Sequence, residues 1–255
     1  IIGTLHDYLT DETIDLSIRR HIPRVLASIP SQESVDVLTK SFEVLTPAVR
    51  YPVIKALNKL RTQHPELLID AKQVNRWLIE ESKSYYERFQ IAHLYREVQD
   101  GPATDLLKRA LQENMNRHIE MVFRLLGLCY QPKDMYSAFS AIVGQEKRMQ
   151  ASAIEFLDSV LKQDEKHYLF PILDGLSESY TIQKGKELFG FHIDERSKAV
   201  ETLMRGTDPW LKACATFTLL EYHTEELLNL AKQSHDDEDP VIRETVHLVL
   251  RRMKH

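Results

Sequence analysis

Thr46-Pro47-Ala48-Val49-Arg50, Asp208-Pro209-Trp210-Leu211-Lys212 and Asp239-Pro240-Val241-Ile242-Arg243 carry one pattern: a capping residue, proline, any residue, an apolar residue and a cation. Asp15-Leu16-Ser17-Ile18-Arg19 is a degenerate copy without the proline. Arg19 and Arg50 are 31 residues apart, and so are Lys212 and Arg243. Self-similarity at such a period marks a stack of supersecondary units, none of which buries its apolar face alone. The pattern predicts an all-α chain, an α/α superhelical solenoid of short repeats. It names no reaction.

Each position has a physical task. Thr46, Asp208 and Asp239 can accept hydrogen bonds from the free N–H groups of a first helical turn. Pro47, Pro209 and Pro240 then occupy the first helical position, where a missing N–H costs nothing. The structural repeat cations Arg19, Arg50, Lys212 and Arg243 face the groove between repeats, within reach of a carboxylate or carbonyl of a neighbour. Apolar residues follow at offsets three, six and seven: Val53, Ala56 and Leu57 after Arg50, Val246, Val249 and Leu250 after Arg243, Ile22, Val25 and Leu26 after Arg19. Lys212 is followed by Ala215, Thr218 and Leu219, and Gln150 by Ala153, Phe156 and Leu157. Such spacing lays each set along one helical face.

Partner helices follow short connections. Ser31 can cap a helix carrying Val35, Leu38, Phe42 and Leu45, and Thr224 one carrying Leu227, Leu228 and Leu230. A pair every 31 residues is shorter than the roughly 40–47 of larger HEAT repeats. Tetratricopeptide and ankyrin patterns fail, since no Trp-x-x-Leu-Gly opening occurs and Thr46-Pro47 is not followed by Leu-His.

The period breaks in the middle, about 66–145. Val74 to Val98 reads as one long helix, and Gly101-Pro102 ends it and starts another. Asn116 to Val143 reads as two further helices divided near Gln131-Pro132. Thr181 to Ile193, with Gly185 and Gly190, reads as a loop or insertion. Insertions in solenoids often sit on a working face. Residues 1–255 are thus expected to form a single HEAT-like repeat domain. Ile1 to Leu9 reads as the second half of a hairpin, so a fragment of a longer chain is expected.

Composition narrows the class. A net charge of −5, from 33 basic and 38 acidic residues, argues against broad nucleic-acid binding. Charged residues at 28% and a mean hydropathy of −0.35 match ordinary folded proteins. No apolar run reaches the roughly 20 residues of a membrane span. Cys129 and Cys214 sit in apolar helical contexts and read as buried structural thiols.

Ile22-Pro23-Arg24-Val25-Leu26, Arg50 to Arg61, Phe123 to Leu128 and Ala153 to Asp158 form an ordered set of stretches. In this order they resemble the HEAT-repeat region found C-terminal to bacterial transporters of the ATP/ADP-translocase-like, major-facilitator type. The resemblance runs from about Ile14 to Leu161, with a more generic C-terminal third. It implies a cytosolic appendage for docking or regulation, tethered to the inner membrane through an attached domain, and brings no catalytic residues.

Other chemistry has little support in the residues. Gly185-Lys186-Glu187-Leu188-Phe189-Gly190 has glycine spacing akin to a phosphate loop, but Phe191 and His192 stand where Lys and Ser or Thr are needed. His6-Asp7 and His235-Asp236 read as solvated pairs rather than metal ligands, and no His-x-x-x-His, Cys-x-x-Cys or Gly-x-Ser-x-Gly occurs. No catalytic, cofactor or metal residues are expected. Trp77, Tyr85, Tyr86 and Tyr95 read as inter-helical filling. Arg20, Arg24, Lys55, Lys59 and Arg61 form the densest basic cluster, either a solvated face or a patch for an acidic partner or membrane surface.

The expected function is a noncatalytic protein-interaction or regulatory scaffold, the cytosolic HEAT-repeat portion of a bacterial membrane transporter. Its partner would be a protein, its own transporter domain included. The alternative is a HEAT-like DNA-binding enzyme of the alkylpurine glycosylase class, with Trp77 or Trp210 beside a carboxylate. A chromophore-attaching lyase with short HEAT-like repeats finds no specific residue.

Overall fold

The computed structural model describes residues 1–144, 146–174 and 177–253, and among them only helices and connections occur. The helices are α1 (Ile2–Thr10), α2 (Leu16–Leu26), α3 (Gln32–Phe42), α4 (Pro47–Gln63), α5 (Ala71–Leu94), α6 (Pro102–Cys129) and α7 (Pro132–Val143). There follow α8 (Lys147–Val160), α9 (Gln163–Leu173), α10 (Glu178–Phe189), α11 (Arg196–Met204), α12 (Pro209–Phe217), α13 (Glu225–Gln233) and α14 (Pro240–Arg252), with a 3-10 turn at Thr218–Leu220. The chain divides into two compact units. The first comprises Ile1–Ser82 and Ile119–Gly175, the second Lys83–His118 and Leu176–His255.

In the first unit α1 packs on α2 and α3, α4 packs on α2 and α3, and α7 packs on α4 and α8. In the second, α11 packs on α12 and α13, and α14 packs on α12 and α13. Thus α1, α2 and α11 each touch both their successor and the next but one, and α12 packs on α14.

The recurring pentapeptide explains how consecutive helices are held. Asp15, Asp208 and Asp239 accept from backbone N–H groups of α2, α12 and α14. Ser31 and Thr224 cap α3 and α13 in the same way. Thr46 departs from expectation: its hydroxyl caps nothing, and Pro47 at the helix start leaves one fewer N–H to satisfy.

The donor at the fifth position of the pentapeptide turns back. Arg50 Nε donates to Leu45 O at 2.8 Å and its Nη2 to Glu43 O at 3.2 Å. Arg19 Nε donates to Leu9 O at 3.1 Å, and Arg243 Nη1 to Asp237 O at 2.7 Å. Gln150, at the corresponding place, donates to Gly144 O at 2.6 Å and Ile142 O at 3.2 Å. These carbonyls close the preceding helix or its turn, so the bond lies within a helix pair. Lys212 alone reaches forward, to the Asp237 carboxylate at 2.7 Å.

Offset three is buried throughout, in Ile22, Val53, Ala153, Ala215 and Val246, and offset seven in Leu26, Leu57, Leu157 and Leu219, with Leu250 half-buried. Offset six varies: Ala56, Thr218 and Val249 are buried, whereas Val25 is 46% exposed and Phe156 half-buried. At about 100° per residue, offset six lies some 60° beyond offset three, at the edge of the apolar stripe.

Two readings of the irregular parts are corrected. No break precedes Asn116, because α6 runs unbroken over 28 residues. Its start is settled from far away: the Glu221 carboxylate accepts from Ala103 N at 2.7 Å and Thr104 N at 2.8 Å. A negative group there complements the exposed N–H groups of the first turn. Gly101 has φ 157°, a conformation L side chains rarely adopt, and its missing Cβ leaves room for the Glu221 carboxylate.

The stretch 181–193 is not a loop up to residue 189. It belongs to α10, which ends at Gly190 in the left-handed conformation (φ 70°). Gly185 sits inside that helix against the Tyr86 ring, where a Cβ would approach to 3.0 Å. The helix-interior penalty of glycine, about 1 kcal/mol, is offset by this close packing.

Arg50→Met should destabilise the protein by about 1–3 kcal/mol in urea unfolding, because the Leu45 and Glu43 carbonyls lose their donor. Lys59→Met on the exposed side of the same helix should move stability by less than about 0.5 kcal/mol.

Candidate functional site

Helices α2 and α4 pack side by side in the first unit. Once their apolar stripes and Arg19 and Arg50 point inward, Arg20, Arg24, Lys55 and Lys59 are left exposed. Arg61 departs from the expected patch: it is half-buried, and its Nη1 donates to Pro65 O at 3.1 Å, closing the end of α4. Four of the five expected patch residues therefore present their charge.

Beside them α6 and α4 share a polar cluster that the sequence reading missed. Tyr51 Oη donates to Glu120 Oε1 at 2.7 Å, and Arg124 donates to the same oxygen from Nε at 2.9 Å and Nη2 at 2.6 Å. Arg124 Nη2 also donates to Tyr51 Oη at 3.0 Å, and its guanidinium lies 5.0 Å from the Tyr51 ring centre. Asn58 Nδ2 donates to Arg124 O at 2.8 Å, tying α4 to α6. The one signal available beforehand was the i, i+4 spacing of Glu120 and Arg124.

Burial alone would push the Glu120 carboxyl up, but the Tyr51 hydroxyl and Arg124 outweigh it and hold the group below its ordinary value. Burial, then the bond to Glu120, pushes the Tyr51 phenol up, so it stays a donor. The cluster fixes an ion pair and a phenol in place.

A cavity of about 180 Å³ opens here, lined by Asn58, Glu120, Phe123, Arg124, Tyr136 and Phe139. Tyr136 also lines a larger depression of about 400 Å³ with Ser137, Ser140 and Met149. Tyr136 is 64% and Met149 52% exposed, so the floor offers aromatic and thioether surface.

The remaining candidates fall elsewhere. Trp77, Tyr86 and Tyr95 are core residues, with Trp77 against Phe42 at 4.2 Å between ring centres, while Tyr85 is half-buried. Trp210 is 42% exposed on α12. Lys186 and Glu187 lie on α10, whose N–H groups are engaged in helix bonding, so no phosphate cradle forms. His235 meets Asp236 at 2.9 Å in the turn before α14. Among the described residues no three His, Cys, Asp or Glu side chains converge on a metal position. Both cysteines are free. Burial raises both thiols, Cys214 to about 12.

No family model matches this chain, and neither does any curated protein or solved structure.

Two outcomes follow. Glu120 is held below its ordinary 4.5, so its contribution to stability is complete above that pH and fades as the pH falls below it. Glu120→Gln should flatten this acid limb in urea midpoints measured across the acid range. Native protein should alkylate slowly with iodoacetamide at mildly alkaline pH, with Cys214 slower than Cys129, and unfolding should abolish the difference.

Proposed function

We propose that this chain is a noncatalytic HEAT-type interaction module, an α/α solenoid of short repeats, serving as the cytosolic portion of a bacterial transporter of the ATP/ADP-translocase-like type. One observation carries the module reading. The same donor position, in Arg19, Arg50, Gln150 and Arg243, is bonded to carbonyls at the end of the preceding helix or in the turn that follows it. A repeated joint of this kind is what a stack of helical hairpins needs. The alternate pairing of α1 with α3, α2 with α4, α11 with α13 and α12 with α14 supports it.

The transporter link rests on the ordered stretches Ile22 to Leu26, Arg50 to Arg61, Phe123 to Leu128 and Ala153 to Asp158. Among the described residues no helix is long and apolar enough to cross a membrane, so membrane attachment in this reading belongs to another domain. The exposed cations of α2 and α4 are the face through which the module works.

Fractionating source cells and probing with an antibody to this chain tests the reading. The expected band runs well above 29.7 kDa, in a membrane pellet that resists alkaline wash. A band near 29.7 kDa in the cytosolic supernatant would overturn the transporter link. Retardation of duplex DNA at low salt would replace the interaction module by the DNA-enzyme reading.

A further inference from the structure

We infer that the α2–α4 face holds an acidic polypeptide segment that places one aromatic side chain in the cavity beside Tyr136. The inference rests on the module reading above and gives its partner a chemistry.

Charge comes first. Helix α2 carries three Arg or Lys and α4 carries four, seven together, and neither holds an Asp or Glu, in a chain of net charge −5. Surface helices elsewhere mix signs: α8 sets Lys147 and Arg148 against Glu155 and Asp158, and α11 sets Arg196 and Lys198 against Glu201. Arg19, Arg50 and Arg61 are engaged by carbonyls. Among the described residues, Arg20, Arg24 and Lys59 have no ion pair or hydrogen bond, and Lys55 Nζ lies 5.6 Å from the Tyr51 ring centre. Like charges four apart, as in Arg20–Arg24 and Lys55–Lys59, disfavour a helix. Lys55 also favours the Glu120 carboxylate, but Arg20, Arg24 and Lys59 give the fold no such return, whereas an anionic partner would use them.

Spacing comes second. Four residues of helix advance about 6 Å, and packed helices lie about 8–10 Å apart. Arg24 and Lys55 are 31 residues apart and hold the same repeat position, so the exposed cations form a small grid. Alternate side chains of an extended chain are about 6.6 Å apart, which matches the grid along either helix.

The cavity decides between anions. Lys55 and Asn58, three apart, share a face of α4, and Lys55 acts on Glu120 in the cavity wall, so the cavity of about 180 Å³ adjoins the cationic face. An apolar cavity of about 150 Å³ accepts a benzene ring, and pockets for whole small molecules run to roughly 300–1,000 Å³. One aromatic ring fits against the paired rings of Phe123 and Phe139, themselves 5.6 Å apart, beside Tyr136, and Glu120 does not repel it because Arg124 neutralises that carboxylate. The depression of about 400 Å³ past Tyr136 continues the track over Met149. A lipid surface presents no side chain for either recess.

Fluorescence anisotropy with a short fluorescein-labelled peptide of Glu and Gly around one central Phe tests this on the whole chain. Saturable binding is expected, about tenfold weaker for R24E/K55E and for a peptide with Gln in place of Glu, and weaker still at raised salt. Removing the Phe should also weaken it. R24Q/K55Q serves as a second variant, with thermal melts to show that both remain folded. Failure of the wild-type chain to saturate overturns the proposal, as does equal affinity for the Gln peptide. Co-sedimentation with phosphatidylserine vesicles without peptide binding overturns it in favour of a membrane surface. R24E/K55E should leave the fractionation pattern unchanged, so a failed peptide with a retained membrane band rejects this partner alone.

Discussion

The ends of helices leave up to four carbonyls without an intrahelical partner, and a chain of many short helices meets that cost at every turn. Here four helix pairs answer it with one side chain each. Arg19, Arg50, Gln150 and Arg243 reach back from the first turn of one helix to carbonyls at the end of the one before or in the turn after it. Arg19 shows the price of burying such a donor, at 6% exposure, and why its bond to Leu9 must be kept. With this position turned toward the joint, the rotation of the helix is set. The stripe at offsets three and seven faces the core. Arg24 and Lys55, each five residues after a joint arginine, face solvent.

One residue type thus does two jobs, and the helix decides which. Arg50 and Arg61 are donors to backbone carbonyls, while Lys55 and Lys59 between them are left with their charge exposed. Beside that face, Tyr51, Glu120 and Arg124 form a closed polar cluster, and Asn58 binds it to the neighbouring helix. A fully partnered cluster of this kind gives a rigid wall to an aromatic-lined recess.

Helices α6 and α10 answer to different rules. Helix α6 starts where Glu221, more than a hundred residues downstream, supplies the capping carboxylate. In α10 the Gly185 backbone lies against Tyr86, and the helix stops only at Gly190. A local reading sees two glycines and infers a loop; it cannot see the ring that makes the first one an asset.

Caps, prolines and the joint cation are local chemistry, so the sequence alone determined the all-helical class, the starts of α2, α3, α12, α13 and α14, and four exposed members of the basic face. It also marked Trp77, Tyr86 and Tyr95 as core, because aromatic residues at helical spacing carry more apolar area than a surface retains. Only the tertiary structure decided that Thr46 caps nothing, that Val25 is exposed, that Arg61 folds back on Pro65, and that 181–189 is helix. The recess between Asn58, Arg124 and Tyr136 likewise exists only once α4, α6 and α7 are brought together. Its residues lie up to 81 positions apart, from Asn58 to Phe139, and no local periodicity encodes a contact made across that separation.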